Sequence, residues 1–320
     1  MSRRLIDRLW IAAALFLAAL PLGAQNGTYN GFSPYSVYGV GDLHTPGTAY
    51  NASMGGVGIA TRNKRFVNTM NPASVTARDS LSFTADFGLS GRASLFTQGD
   101  LHNTKTLFNI NDFVISFPMW RKTAFMVGIA PFSDTGFSMS YVDKITEGEQ
   151  SIGYTGNRAY GAAGDGGMNQ LFAGASVLLW NRISLGAQYN LLFGSISKYS
   201  SSSFSDASYR SQTMGDTLQV RAHTAKFGIQ YEQPVGKQGK FVLGATYRLK
   251  ADIGGQATEY SNISEMNLGV HDLKEDNISI GDELGVGLSY TQADRWTVEM
   301  DYTRGDWRGS RFDAVRGFSN

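Results

Sequence analysis

The chain of 320 residues contains no cysteine, so disulfides and thiolate metal sites are excluded. Its formal net charge is only +1, which gives no push toward nucleic acid or any other charged partner. Proline is scarce, at 7 residues. No apolar run reaches the length of a transmembrane helix. The four histidines, His44, His102, His223 and His271, are widely spread and show no metal-ligand spacing. A Gly-x-Ser-x-Gly nucleophile elbow is missing. Residues 161–167 are glycine-rich but lack the Lys-Ser/Thr of a phosphate loop. The expectation is a protein that is not an enzyme and carries neither metal nor cofactor.

What is present begins with a leader. Arg3, Arg4 and Arg8 form a positive n-region, residues 9–20 are apolar, and residues 21–24 offer a small residue for cleavage. That pattern is a secretory signal peptide over residues 1–24. The flanks and the length oppose a permanent N-terminal anchor. No cysteine follows the cleavage position, so a lipoprotein anchor is not expected.

Glycine (38 residues) and aromatics (12%) are abundant. From residue 81 onward, nine segments alternate apolar and polar residues with period two, the signature of strands. Leu81, Phe83, Ala85, Phe87 and Leu89 form one apolar face. Ile183, Leu185, Ala187, Tyr189, Leu191 and Phe193 form another, opposed by Ser184, Gly186, Gln188 and Asn190. Further strands are expected near residues 113–117, 125–129, 170–179, 227–231, 241–249, 284–290 and 296–302. The connections alternate in length. Residues 121–122, 181–182, 234–239 and 292–294 are short links; residues 92–107, 143–167, 198–216 and 254–277 are long, polar ones.

A soluble sandwich also buries one face of each strand. Three features favour a membrane barrel instead. The strands reach about ten residues, the length a tilted strand needs to cross a bilayer. Trp120, Trp180, Trp296, Trp307 and several tyrosines sit at strand ends, as an interfacial girdle requires. The opposite face carries Asp86, Arg248, Glu299 and Asp301 among glycines, which suits a narrow wet lumen. The expected fold is an all-β, antiparallel transmembrane β-barrel over residues 81–320. Its short turns would be periplasmic and its long loops extracellular. Single-chain barrels usually close with an even strand count. Nine strands and an end at Asn320 therefore predict C-terminal truncation. A longer reading frame would support this, and a native stop codon would overturn it.

Residues 25–80 do not alternate, yet hold Phe32, Tyr35, Tyr38, Met54, Val57, Ile59, Phe66 and Met70, too much apolar content for a disordered linker. The economical place for them is the barrel lumen, as a plug. Here the motifs resemble a known family. Gly55-Gly56-x-Gly58-x-Ala60, then Asn71-Pro72-Ala73, then the first strand is similar to the long-chain fatty acid transporter (FadL-like) outer-membrane family. The stretch 281–307, with its Gly-x-Gly-x-Ser-Tyr strand and Asp306-Trp307, adds to the likeness. The resemblance implies a barrel of about fourteen strands when complete, with an N-terminal lumenal hatch holding Gly55, Gly56, Asn71, Pro72 and Ala73. It implies passive import of hydrophobic molecules through a lateral wall opening. The kink for that opening would fall at Pro131 and Phe132, because proline cannot donate to a ladder. A simple bulge without a transport role is the other reading of Pro131.

Two functions follow as expectations. One is uptake of hydrophobic small molecules such as long-chain fatty acids. The other is a non-transport scaffold or shuttle in protein secretion, since some FadL-like barrels resemble accessory proteins of type IX secretion. A continuous apolar path would favour transport, and a lumen sealed by polar contacts would favour scaffolding. Expected partners are a hydrophobic small molecule, outer-membrane lipid and lipopolysaccharide, and the barrel assembly machinery. The expected form is a monomer in the outer membrane, without nucleic acid.

Overall fold

The computed structural model describes residues 31–78, 83–120, 122–145, 156–206, 208–261, 267–272, 278–293, 295–312 and 318. The signal peptide over 1–24 lies outside the described residues. The rest is all-β and antiparallel. Short β1 (Asp42–Leu43) precedes α1 (Ala49–Ser53), and 3-10 turns cover Pro34–Val37 and Pro72–Ala77. The wall then runs through β2 (Thr84–Gln98), β3 (Leu101–Trp120), β4 (Thr123–Ile145), β5 (Gly156–Leu179), β6 (Ile183–Phe204) and β7 (Gln212–Val235). It continues through β8 (Gly239–Arg248), β9 (Ala251–Ser261), β10 (Asn267–Asp272), β11 (Ser279–Ile280), β12 (Asp282–Gln292) and β13 (Trp296–Asp306). The main path is a half-barrel of nine strands in the order β13-β12-β8-β7-β6-β5-β4-β3-β2.

All nine alternating segments are wall strands. Their outward apolar residues, such as Phe87, Ile129, Leu171, Leu185, Phe227, Leu243 and Leu284, remain exposed on the convex face. Their inward partners, such as Ser184, Gln188, Lys226, Gln230 and Thr246, are buried. The tight turn after β5 is one residue earlier than its sequence suggested. Trp180 (φ 47°) and Asn181 (φ 58°) are its central residues, and the Arg182 N–H donates to the Leu179 carbonyl at 3.1 Å. Two positive φ values define the type I′ geometry that matches strand twist.

The long connections are a correction. Residues 92–107 and much of 143–167, 198–216 and 254–277 belong to strands. β4, β5 and β7 extend to 23, 24 and 24 residues. The reason is physical: pairing satisfies the backbone whether or not one face is apolar, and alternation fades where neither face is core. β7 changes partner along its length, pairing with β8 from Lys226 to Val235 and with β9 from Met214 to Ala222.

One seam in the wall opens. β3 and β4 pair only as far as Phe113 opposite Ile129. Beyond that level β3 continues with β2, and β4 continues with β5. A register shift lies between Pro131 and Ser133 of β4, and β1 pairs with Ser133 and Asp134 just past it.

Candidate functional site

The inward face of the wall is a seat for residues 31–78. Its short-turn tier is built around residues 58–62, which turn over β7, β8, β12 and β13 without joining the sheet, the Thr61 N–H donating to the Gly58 carbonyl at 3.2 Å. Wall side chains act as their ladder. The Asp301 carboxylate accepts the N–H groups of Gly58 (2.7 Å) and Ile59 (2.9 Å). Glu299 accepts the Ala60 N–H at 3.0 Å and the Thr61 hydroxyl. On the carbonyl side, Gln230 donates to Ile59 (2.9 Å), Ser289 to Ala60 (3.0 Å) and Lys240 to Arg62 (3.0 Å). A buried backbone must be paired somewhere, and here side chains do the pairing.

Such close approach requires missing side chains below. A Cβ on Gly244 would lie 2.2 Å from the Ile59 carbonyl oxygen, and one on Gly287 would lie 2.8 Å from the Ile59 Cβ. One on Gly228 would lie 2.0 Å from the Asn71 Oδ1, and one on Gly186 would lie 2.4 Å from the Ala73 nitrogen. The inward glycines therefore make room for a second layer of chain, which the reading of a wet lumen did not foresee.

Asn71, Pro72 and Ala73 are fully or nearly fully buried on that glycine floor. The Asn71 side chain accepts from the Ala73 N–H at 3.0 Å, capping the turn Pro72–Ala77, and donates to the Ile59 carbonyl at 2.8 Å. Gly55 (φ 82°) and Gly56 (φ 83°) do different work, turning the chain after α1. Gly58 is the packed member of that motif: a Cβ there would meet the Asn51 amide at 2.3 Å.

The sequence reading missed Arg62. Its side chain is buried, with Nε on the Glu232 carboxylate at 2.9 Å and an Nη on the Ser184 hydroxyl at 2.7 Å and Gln230 Oε1 at 3.1 Å. Burial pushes the guanidinium below its ordinary range, and Glu232 opposes that shift. An inward glutamate facing a basic stretch was the available signal. Glu299 and Asp301, named as lumen-facing charges, point at the N-terminal segment. They hold backbone N–H groups, and Arg248 pairs with Glu283 at 3.3 Å. Asp86 is half-buried beside Arg78, whose guanidinium burial pushes down and Asp86 supports.

Above this tier a belt crosses four strands, with Gln188, Lys226, Arg248 and Glu283 directly opposite one another. Higher still the inward face becomes apolar. Leu192, Ile196, Leu218, Val220, Ile253, Ile278, Phe312 and Phe318 form a buried cluster with Val40, and Phe132 and Trp307 pack against it. The N-terminal segment is tied there through Lys198, which donates to the Val37 and Gly39 carbonyls at 2.8 Å each. His44 meets the Asp134 carboxylate, and the Ser33 N–H donates to the Gly136 carbonyl at 2.9 Å.

Pro131 and Phe132 lie at the opened seam. The seam borders a cavity of about 1330 Å³ lined by Phe32, Phe96, Phe137, Met139, Tyr141 and Tyr160 among others. Among the described residues no group of His, Cys, Asp or Glu could hold a metal ion.

A curved antiparallel wall of nine strands, apolar outside and occupied inside by its own N-terminal segment, defines an all-β, β-barrel-like protein. The BamG family profile matches residues 2–316, and the chain belongs to the BamG family. Membership makes it a Bam-related outer-membrane protein. The family that matches is not the fatty-acid-transporter-like one that the motifs resemble. The chain matches no curated protein and no solved structure.

Proposed function

We propose that this chain is a plugged outer-membrane barrel wall serving outer-membrane biogenesis as a partner of the barrel assembly machinery, and not as an open conduit. One observation carries the reading: among the described residues the inward face is filled from the short-turn end upward by the chain's own N-terminal segment. On β6, β7, β8 and β12 the belt from Gln188 to Glu283 and the pinned segment 58–62 stand between the apolar cluster around Leu192 and the short-turn end, and on β3 to β5 Val67 and Val75 of the N-terminal segment cover Val114, Ala124, Met126 and Phe172. The family name points the same way. Residues 31–78 act as the hatch. The convex face is inserted in lipid, because a soluble monomer rarely exposes so large an apolar surface. Covering each large apolar side chain there contributes about 1.5–3 kcal/mol. The short turns face the periplasm, as in other barrels with unequal ends.

A second reading rests on the seam between β3 and β4. A wall gap beside Pro131 that borders a partly aromatic cavity suits lateral entry of hydrophobic molecules, such as long-chain fatty acids. Depletion of the protein in its own cells separates the two. The biogenesis reading expects loss of many outer-membrane proteins with unchanged uptake of labelled fatty acid. The reverse pattern overturns it and favours uptake, in which case Pro131→Ala should alter the rate.

A further inference from the structure

The net charge of +1 conceals an uneven placement of exposed acidic side chains along the strand axis. At the short-turn end the exposed charged residues are Lys122, Arg182, Lys237 and Arg295 on the rim, with Lys64 and Arg65 at the tip of the N-terminal segment. Among the described residues no acidic side chain is exposed there. Glu232 is half-buried and held by Arg62. Arg121, Asp79 and Asp294 lie outside the described residues, and counting all three still leaves a large positive excess. Away from that end the exposed charges are mixed, with Asp100, Asp143, Asp206 and Asp252 among Lys105, Lys144, Arg210, Lys250, Arg304, Arg308 and Arg311.

The tip is held in place. Lys240, at the start of β8, donates to the Arg62 carbonyl at 3.0 Å, and the Arg65 N–H is capped by Asn63 Oδ1 at 2.8 Å. Next to them Phe66 is exposed and stacks on Tyr50 with ring centroids 4.4 Å apart. Exposed arginine and aromatic side chains at the centre of a patch are the composition of protein interfaces.

We infer that the short-turn end face, rim and tip together, is a docking surface for an acidic periplasmic protein. Charge complementarity selects the occupant, since opposed potentials steer encounter and fix orientation. Lipid phosphate would account for the rim cations, which neighbour the exposed Trp120, Trp180 and Trp296. It does not account for Lys64, Arg65 and Phe66, which the concave side carries away from the convex apolar band. The inference rests on the proposed orientation and on the biogenesis reading.

The test uses the full-length protein in its own outer membrane, with a photo-crosslinking phenylalanine analogue in place of Phe66. The expected result is a discrete adduct with a protein of net negative charge. Lys64→Glu with Arg65→Glu should lower its yield at least tenfold, and Lys64→Gln with Arg65→Gln should give an intermediate loss. Unchanged hydrogen exchange at amides 58–62 shows that these variants keep the fold. Adducts with lipid only, no adduct, or an adduct indifferent to charge reversal overturns the inference. Because the chain has no cysteine, Lys237→Cys reports orientation separately through an impermeant maleimide. Labelling in intact cells overturns the orientation reading itself. Labelling only after permeabilisation, with no adduct at position 66, overturns the docking surface alone.

Discussion

The two tiers of the inward face hold the same N-terminal segment by opposite means. Near the short turns, on β6 to β8, β12 and β13, glycines bring two backbones together and polar side chains complete their hydrogen bonds, while on β3 to β5 Val67 and Val75 pack on Val114, Ala124, Met126 and Phe172. Toward the long ends, the wall buries Leu192, Ile196, Leu218 and Ile253 against Val40, and only a few polar ties such as Lys198 remain. The difference teaches that the lower tier is directional and intolerant of change, because each buried polar group depends on a named partner. The upper tier is non-directional and scales with area.

Substitutions separate the tiers. The largest effect is expected from Arg62→Ala, which strands Glu232 and removes the donor to Ser184 and Gln230. The loss is about 3 kcal/mol, near the lower end for breaking a buried pair because Glu232 is partly solvated. Denaturant unfolding in detergent should show it, together with faster exchange at amides 58–62. Leu192→Ala should cost a similar or slightly smaller amount, about 2–3 kcal/mol, through a cavity. Its exchange at 58–62 should stay unchanged; acceleration there would mean that the tiers are one cooperative unit. Gly186→Ala forces a Cβ against the Ala73 backbone and should cost about 1–3 kcal/mol, and proteolysis between 60 and 75 should rise. Ser289→Ala removes one donor to the Ala60 carbonyl and should cost about 1 kcal/mol. A null result there would show that water substitutes at that position.

Much of the wall was legible along the chain. Period-two alternation located nine strands because one face of each is apolar over its central residues. The same signal failed at residues 92–98, 101–107, 143–145 and 156–167, where strands continue without regular alternation. Asn71-Pro72-Ala73 stood out as a motif, and it does sit at the centre of the seat. Arg62 did not stand out, since its five partners, Glu232, Ser184, Gln230, Thr76 and the Ala73 carbonyl, come from three separate stretches. The inward glycines were visible as a pattern, but their purpose was not. Nothing local says that Gly244 lies beneath Ile59, almost two hundred positions away.

By itself the sequence determined the central stretches of nine wall strands and their two faces, because side-chain direction in a strand is fixed by the pleat and depends only on neighbours in the chain. Only the tertiary structure decided that the polar, glycine-rich face is a seat. Which carboxylate holds which N–H, where β3 leaves β4, and that cations gather at one end all depend on register between distant segments. Register is set by packing across the whole sheet, and no short stretch of sequence contains it.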